Sequence, residues 1–100
     1  MQNSDFIGYV GNYKVHDSKV ENIINSGNDV TVLLKSQEGE VISVRFLSVQ
    51  EVIEKRPVGM ILYAICEMKD IAPCRKFVFA NTDEEDEASL IVVAHEYHIE

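Results

Sequence analysis

Apolar and polar residues alternate along most of this chain with a period of two, the spacing that puts successive side chains on opposite faces of a strand. Residues 18–26, SKVENIINS, carry apolar positions at Val20, Ile23 and Ile24 and run into the breaker SGND at 26–29, where Gly27 and Asn28 suit positive φ. In DVTVLLKS, Val30, Val32 and Leu34 point one way and Thr31, Leu33 and Lys35 the other. After the turn QEGE at 37–40, VISVRFLSV places Ile42, Val44 and Phe46 on one face and Ser43 and Arg45 on the other. These three segments predict a meander of hairpins. SVQEVIEK at 48–55 alternates more weakly, with Val49 and Ile53 on one side and Val52 on the other; it reads as a continuation of the sheet after a bend, ending at Pro57 and Gly59.

MILYAICEM at 60–68 is ambiguous, because Ile61, Ala64, Ile65 and Met68 would also line one face of a helix. It is short and rich in strand formers, so it is read as a strand with a helical turn at its entry. RKFVFAN at 75–81 and SLIVVAHEYHIE at 89–100 form a final hairpin around the acidic stretch that ends in Asp83, Glu84, Glu85, Asp86 and Glu87. Five successive carboxylates repel one another and resist burial, which makes that stretch a solvated loop. No segment reads as a long helix. The expected fold is therefore mainly β: a single domain over 1–100, an antiparallel meander of six or seven strands forming a sandwich or a partly open barrel.

Charge narrows the range of partners. Acidic residues number 17 against 9 basic ones, a formal net charge of −8. That sign argues against nucleic acid, whose phosphates need clustered Lys and Arg, and against an anionic membrane surface. It suits a basic protein partner for the acidic loop. The N-terminal MQNSDFIGYV has neither a basic segment nor a long apolar run, and no stretch reaches the roughly 18 apolar residues that span a bilayer. With Cys66 and Cys74 eight apart and no CxxC spacing, the expectation is a cytoplasmic protein with two reduced thiols. Uncovered strand edges would allow a homodimer.

The chain also sets His16, Asp17 and Ser18 side by side, the three residue types of a hydrolase triad. Triad groups must converge, whereas neighbours on an extended chain diverge, and there is no G-x-S-x-G elbow. Asp and Ser bond nearby backbone N–H groups and start chain reversals, so Asp17 or Ser18 is expected to pin the corner before the first long strand, with His16 free to join that network. The alternative is a small-ligand or metal-dependent site built around His16 and Asp17. Glu96 and His98 share one strand face, and joining them to His16 and Asp17 would take a meeting that the sequence does not show, so no metal and no cofactor is expected. The loop 83–87 lacks the spacing and glycine of a calcium loop. Cys66 reads as buried and inert, and Cys74 as a loop thiol beside Arg75 and Lys76. The glycines are too dispersed to cradle phosphate.

The order His16-Asp17-Ser18, KVENI, DVTVLL, VRFLSVQEV and GMILYAICE resembles a loose group of small uncharacterised bacterial proteins with a His-Asp-Ser signature near the N-terminus, some of them similar to immunity proteins of polymorphic toxins. The likeness covers about residues 13–68. It implies a mostly β domain and an interaction role, and attaches no activity. With the charge and the missing catalytic motif, it yields the expectation of a small intracellular bacterial protein-interaction domain, non-enzymatic and immunity-like.

Overall fold

The computed structural model describes residues 5–100. The reading of MQNSDFIGYV as carrying no leader rests partly on residues 1–4, which lie outside the described residues. Among the described residues nine strands follow one another: β1 (Phe6–Tyr9), β2 (Lys19–Ser26), β3 (Asp29–Lys35), β4 (Val41–Leu47), β5 (Glu51–Lys55), β6 (Leu62–Met68), β7 (Arg75–Asn81), β8 (Ser89–Ala94) and β9 (Glu96–Ile99). They form two antiparallel sheets, β1-β6-β7-β8-β5 and β2-β3-β4-β9, packed face to face as a sandwich and not closed into a barrel.

The alternation read from the sequence is what builds the core. Val30, Val32 and Leu34 of β3 and Ile42, Val44 and Phe46 of β4 are all buried. From the other sheet come Leu62, Ile65, Phe77, Phe79, Leu90 and Val92. Phe46 joins the two layers, its ring centroid 5.0 Å from that of Phe77 and 5.9 Å from that of Phe79.

Four details depart from the sequence reading. β1 was not foreseen: four residues, three of them exposed, show no alternation, and the strand exists because it completes the edge of β6 through Phe6–Met68 and Tyr9–Cys66. The arm 89–100 is two strands, since β8 pairs with β5 and β7 while β9 pairs with β4 in the other sheet. The crossing falls at His95, whose N–H donates to the Leu47 carbonyl. β5 likewise leaves the β2–β4 meander for the far edge of the five-stranded sheet, beyond a positive φ of 54° at Ser48. Val49 and Ile53 therefore do not share a face: Val49 and Val52 pack on the core and Ile53 is exposed. The predicted strand at 60–68 is β6, entered not by a helical turn but by a hydrogen-bonded turn from Pro57 to Met60, with φ of 95° at Gly59, the place where that turn favours glycine.

Register also decides what each sheet shows outward. On the four-stranded sheet, Ile24, Thr31, Arg45 and His98 lie in one row and Asn22, Leu33 and Ser43 in the next, a mostly polar surface. The five-stranded sheet is different. Tyr9, Cys66, Val78, Ile91 and Ile53 form one unbroken row across all five strands. Beside it run Phe6, Met68, Lys76, Val93 and Glu51, and Ala64 pairs with Ala80 on the other flank. This outer surface is apolar apart from Lys76, Glu51 and residues at its rim.

Candidate functional site

The His16 corner is built by one 3-10 turn, Tyr13–Val15, capped by Asn12, whose Oδ1 accepts from the Lys14 N–H at 2.9 Å. The apolar Val15 anchors the turn in the core. Ser18 then closes the reversal: its N–H and its Oγ both donate to the Val15 carbonyl, at 3.1 and 2.6 Å. The Asp17 N–H donates to the Leu62 carbonyl at 2.7 Å, and the Leu62 N–H to the Ser18 carbonyl at 2.8 Å. The chain thus crosses from one sheet to the other at this point, with Lys19 bridged to Ile61.

The geometry separates Ser18 from its two neighbours. Ser18 is fully buried with its only hydroxyl proton engaged, so it presents no nucleophile to solvent. His16 and Asp17 come together on the outside. The His16 Nδ1 lies 2.6 Å from the Tyr63 carbonyl, and because a carbonyl only accepts, Nδ1 carries the proton. Nε2 is then the free acceptor of the neutral ring, 3.4 Å from Asp17 Oδ2, and the contact is an ion pair only when the ring takes up a second proton. The His16 side chain is 54% exposed. Asp17 holds a φ of 64°, which a short polar side chain tolerates. Asp17→Val is expected to cost about 1–2 kcal/mol in a urea titration, while Asp17→Gly stays within about 0.5 kcal/mol of the native protein.

Beside His16 opens a cavity of about 220 Å³, with Val10, Val15 and Ile65 as its floor and Tyr9, Tyr63 and His16 at its rim. It is smaller than the roughly 300–1,000 Å³ of most small-molecule sites and suits one side chain or one small ring. Gly11 lines it at a φ of 86°, where a Cβ would stand 2.8 Å from Val15 Cγ2. The Tyr63 phenol beside it holds the Tyr9 phenol above its ordinary pKa of 10.0. Replacing Tyr63 by Phe is expected to lower the Tyr9 titration midpoint, followed by the ring carbon shifts of labelled tyrosine. Neither tyrosine was singled out from the sequence, because their meeting depends on β1 and on the register shift between Leu62 and Ala64.

The loop Asp83–Glu87 is ordered by its own carboxylates. Asp83 Oδ1 accepts from the Glu85 N–H at 2.9 Å and Asp86 Oδ1 from the Ala88 N–H at 3.2 Å. Asn81 Nδ2 donates to Asp86 Oδ2 at 3.1 Å, and Lys55 Nζ meets Glu87 Oε1 at 2.7 Å. Glu84 and Glu85 have no cation within ion-pair distance among the described residues. The Asn81 side chain, and after it the Ala88 N–H, hold the Asp86 carboxyl below its ordinary value of 3.8. A carboxyl lowered by folding lends stability above its unfolded value and loses it as pH falls through the folded one. The Ala88 amide shift is therefore expected to follow a titration whose midpoint lies below the ordinary 3.8 of an aspartate.

Other residue sets stay apart. His98 Nε2 and Glu96 Oε2 are 3.9 Å from each other, but they do not meet His16 and Asp17, and among the described residues no three of His, Cys, Asp and Glu gather as a metal-binding group. Cys66 and Cys74 are both free and half-buried, and burial pushes the Cys66 thiol up. Among the described residues no helix is long and apolar enough to cross a membrane. Comparison with family models, with curated proteins and with solved structures finds no match to this chain.

Proposed function

We propose that this chain is a non-enzymatic protein-interaction domain of the bacterial cytoplasm, immunity-like in that it works by docking. The observation that carries the reading is the apolar row Tyr9, Cys66, Val78, Ile91 and Ile53 on the outside of the five-stranded sheet. Apolar surface costs about 25 cal/mol per Å² to keep in water, and contiguous patches of it mark places where another surface lands. The free carboxylates of Glu84 and Glu85 add a second recognition element, suited to a basic partner. The test is site-specific photo-crosslinking in the native host from position 78 and from position 85. Protein adducts at 78 that disappear with Ile91→Lys support the reading, and a residue 78 that yields no protein adduct overturns it.

A second reading rests on the exposed His16 ring and the cavity beside it: a small-ligand site, with Tyr9 and Tyr63 as its walls. A screen of small aromatic and aliphatic fragments by NMR would show shifts confined to His16, Tyr63 and Val10 if it holds. No shifts at millimolar fragment would remove it.

A further inference from the structure

The interaction reading leaves open what covers the outer face of the five-stranded sheet, and the two charges set into that face bear on it. Lys76 and Glu51 lie in the same cross-strand row, one on either side of Val93: Lys76 pairs with Val93 across β7–β8, and Glu51 with Val93 across β5–β8. Their neighbours Phe77 and Val52 face the core, so both charged side chains are on the outside. Neither is in an ion pair among the described residues. Val93 between them is 7% exposed although it is not part of the core. The face thus has an apolar centre on β8, a cation one strand to one side and an anion one strand to the other.

That arrangement is self-complementary under one symmetry operation. A two-fold axis lying between two such faces and running along β8 sets each β7 over the partner's β5, because both strands are one spacing from β8. Row height is unchanged, so Lys76 of each copy meets Glu51 of the other, twice, while Ile91 and Val93 stack on their own copies and Val78 covers Ile53. Stacked sheets lie about 10 Å apart, a gap that Lys and Glu side chains reach across. Under this axis β7, β8 and β5 overlap the partner's β5, β8 and β7, and three strands about 4.8 Å apart with three rows of side chains give a projected area on the order of 300 Å². That is the size of a weak, reversible pair, so association is expected toward the upper end of the concentration range.

We propose that the outer face of the five-stranded sheet binds a second copy of this chain, as an isologous pair with its two-fold axis along β8 and reciprocal Lys76–Glu51 contacts. The proposal rests on the interaction reading and names its partner. The same axis brings the two acidic loops to one end of the pair, so assembly is to be measured near 0.15 M salt, where exposed charges are screened beyond about 8 Å. Sedimentation velocity from micromolar to millimolar chain is expected to show a species of twice the 11.3 kDa chain mass. Lys76→Glu and Glu51→Lys each place like charges across the interface and are expected to weaken the pair about tenfold or more. The double variant Lys76→Glu/Glu51→Lys restores the reciprocal contact and the affinity. Ile91→Lys is expected to give a monomer. A native chain that stays monomeric throughout, or a double variant no tighter than the singles, overturns the proposal. If the native chain is monomeric yet residue 78 crosslinks to a different protein in cells, the second copy is wrong and the interaction reading stands; with no protein adduct, both fall.

Discussion

Phe46→Ala is expected to lower the unfolding free energy by about 3–5 kcal/mol, measured by urea denaturation at neutral pH. Phe46 is completely buried on β4, and its ring meets the opposite sheet against Phe77 and Phe79. Truncation removes the transfer energy of the ring and leaves a cavity between two sheets that are each held by their own ladders and cannot close over it. Domains of this size have about 5–15 kcal/mol in all, so the variant loses a large part of its stability. Ile24→Ala is the control: Ile24 is apolar and on a strand too, but 44% exposed on the outer face of the other sheet, and its loss is expected to stay below about 1 kcal/mol. A Phe46→Ala effect as small as that of Ile24→Ala would mean that the sheets do not meet through this ring.

The second large effect is expected at Arg75. Its Nε and Nη2 bond the two carboxylate oxygens of Glu67 at 2.7 and 2.9 Å, and its guanidinium lies 5.5 Å from the Phe77 ring centre and 5.4 Å from that of Tyr97. Phe77 and Tyr97 themselves touch edge to face across the two sheets, so Arg75 caps the end of the core where β9 passes over β7. The Glu67 bonds hold the guanidinium above its already high pKa, and it stays charged at every ordinary pH. The Glu67 side chain is only 13% exposed. Arg75→Met strands that carboxylate and is expected to cost about 2–4 kcal/mol, the harm coming from the charge left behind more than from the bond lost. Arg75→Met with Glu67→Met removes both charges and is expected to recover most of the loss. A double variant as unstable as the single would place the effect in the ring contacts of the guanidinium instead.

Much of the fold was legible because burial on one side of a sheet writes itself as alternation. Val30, Val32 and Leu34 of β3 and Ile42, Val44 and Phe46 of β4 show this: they are every second residue of their strands and all six are buried, while the out-of-phase Val41 is 68% exposed. The corner at residues 16–18 was legible only in part. Ser18 turns inward to the Val15 carbonyl, away from its neighbours, but the adjacent His16 and Asp17 meet at 3.4 Å on the outside, where the divergence of neighbours on an extended chain does not hold. The cavity walls were not legible. Tyr9 belongs to a strand with no pattern of its own, and Tyr63 to a register shift, so only the pairing of β1 with β6 makes them neighbours.

The sequence by itself determined the strands with one buried face, the turns between them and the solvated acidic loop. These follow from period, glycine placement and charge repulsion, all of which act over a few residues. Tertiary structure alone decided which sheet each strand joins. β5 alternates weakly and β9 as regularly as a strand that stays in its meander, yet each crosses to the other layer, because a strand's own pattern records that a face is buried and not what buries it. The outer row from Tyr9 to Ile53 is the largest consequence. Its five residues come from five separate segments, each carrying an ordinary outward apolar residue, and only the register of all four pairings lines them up.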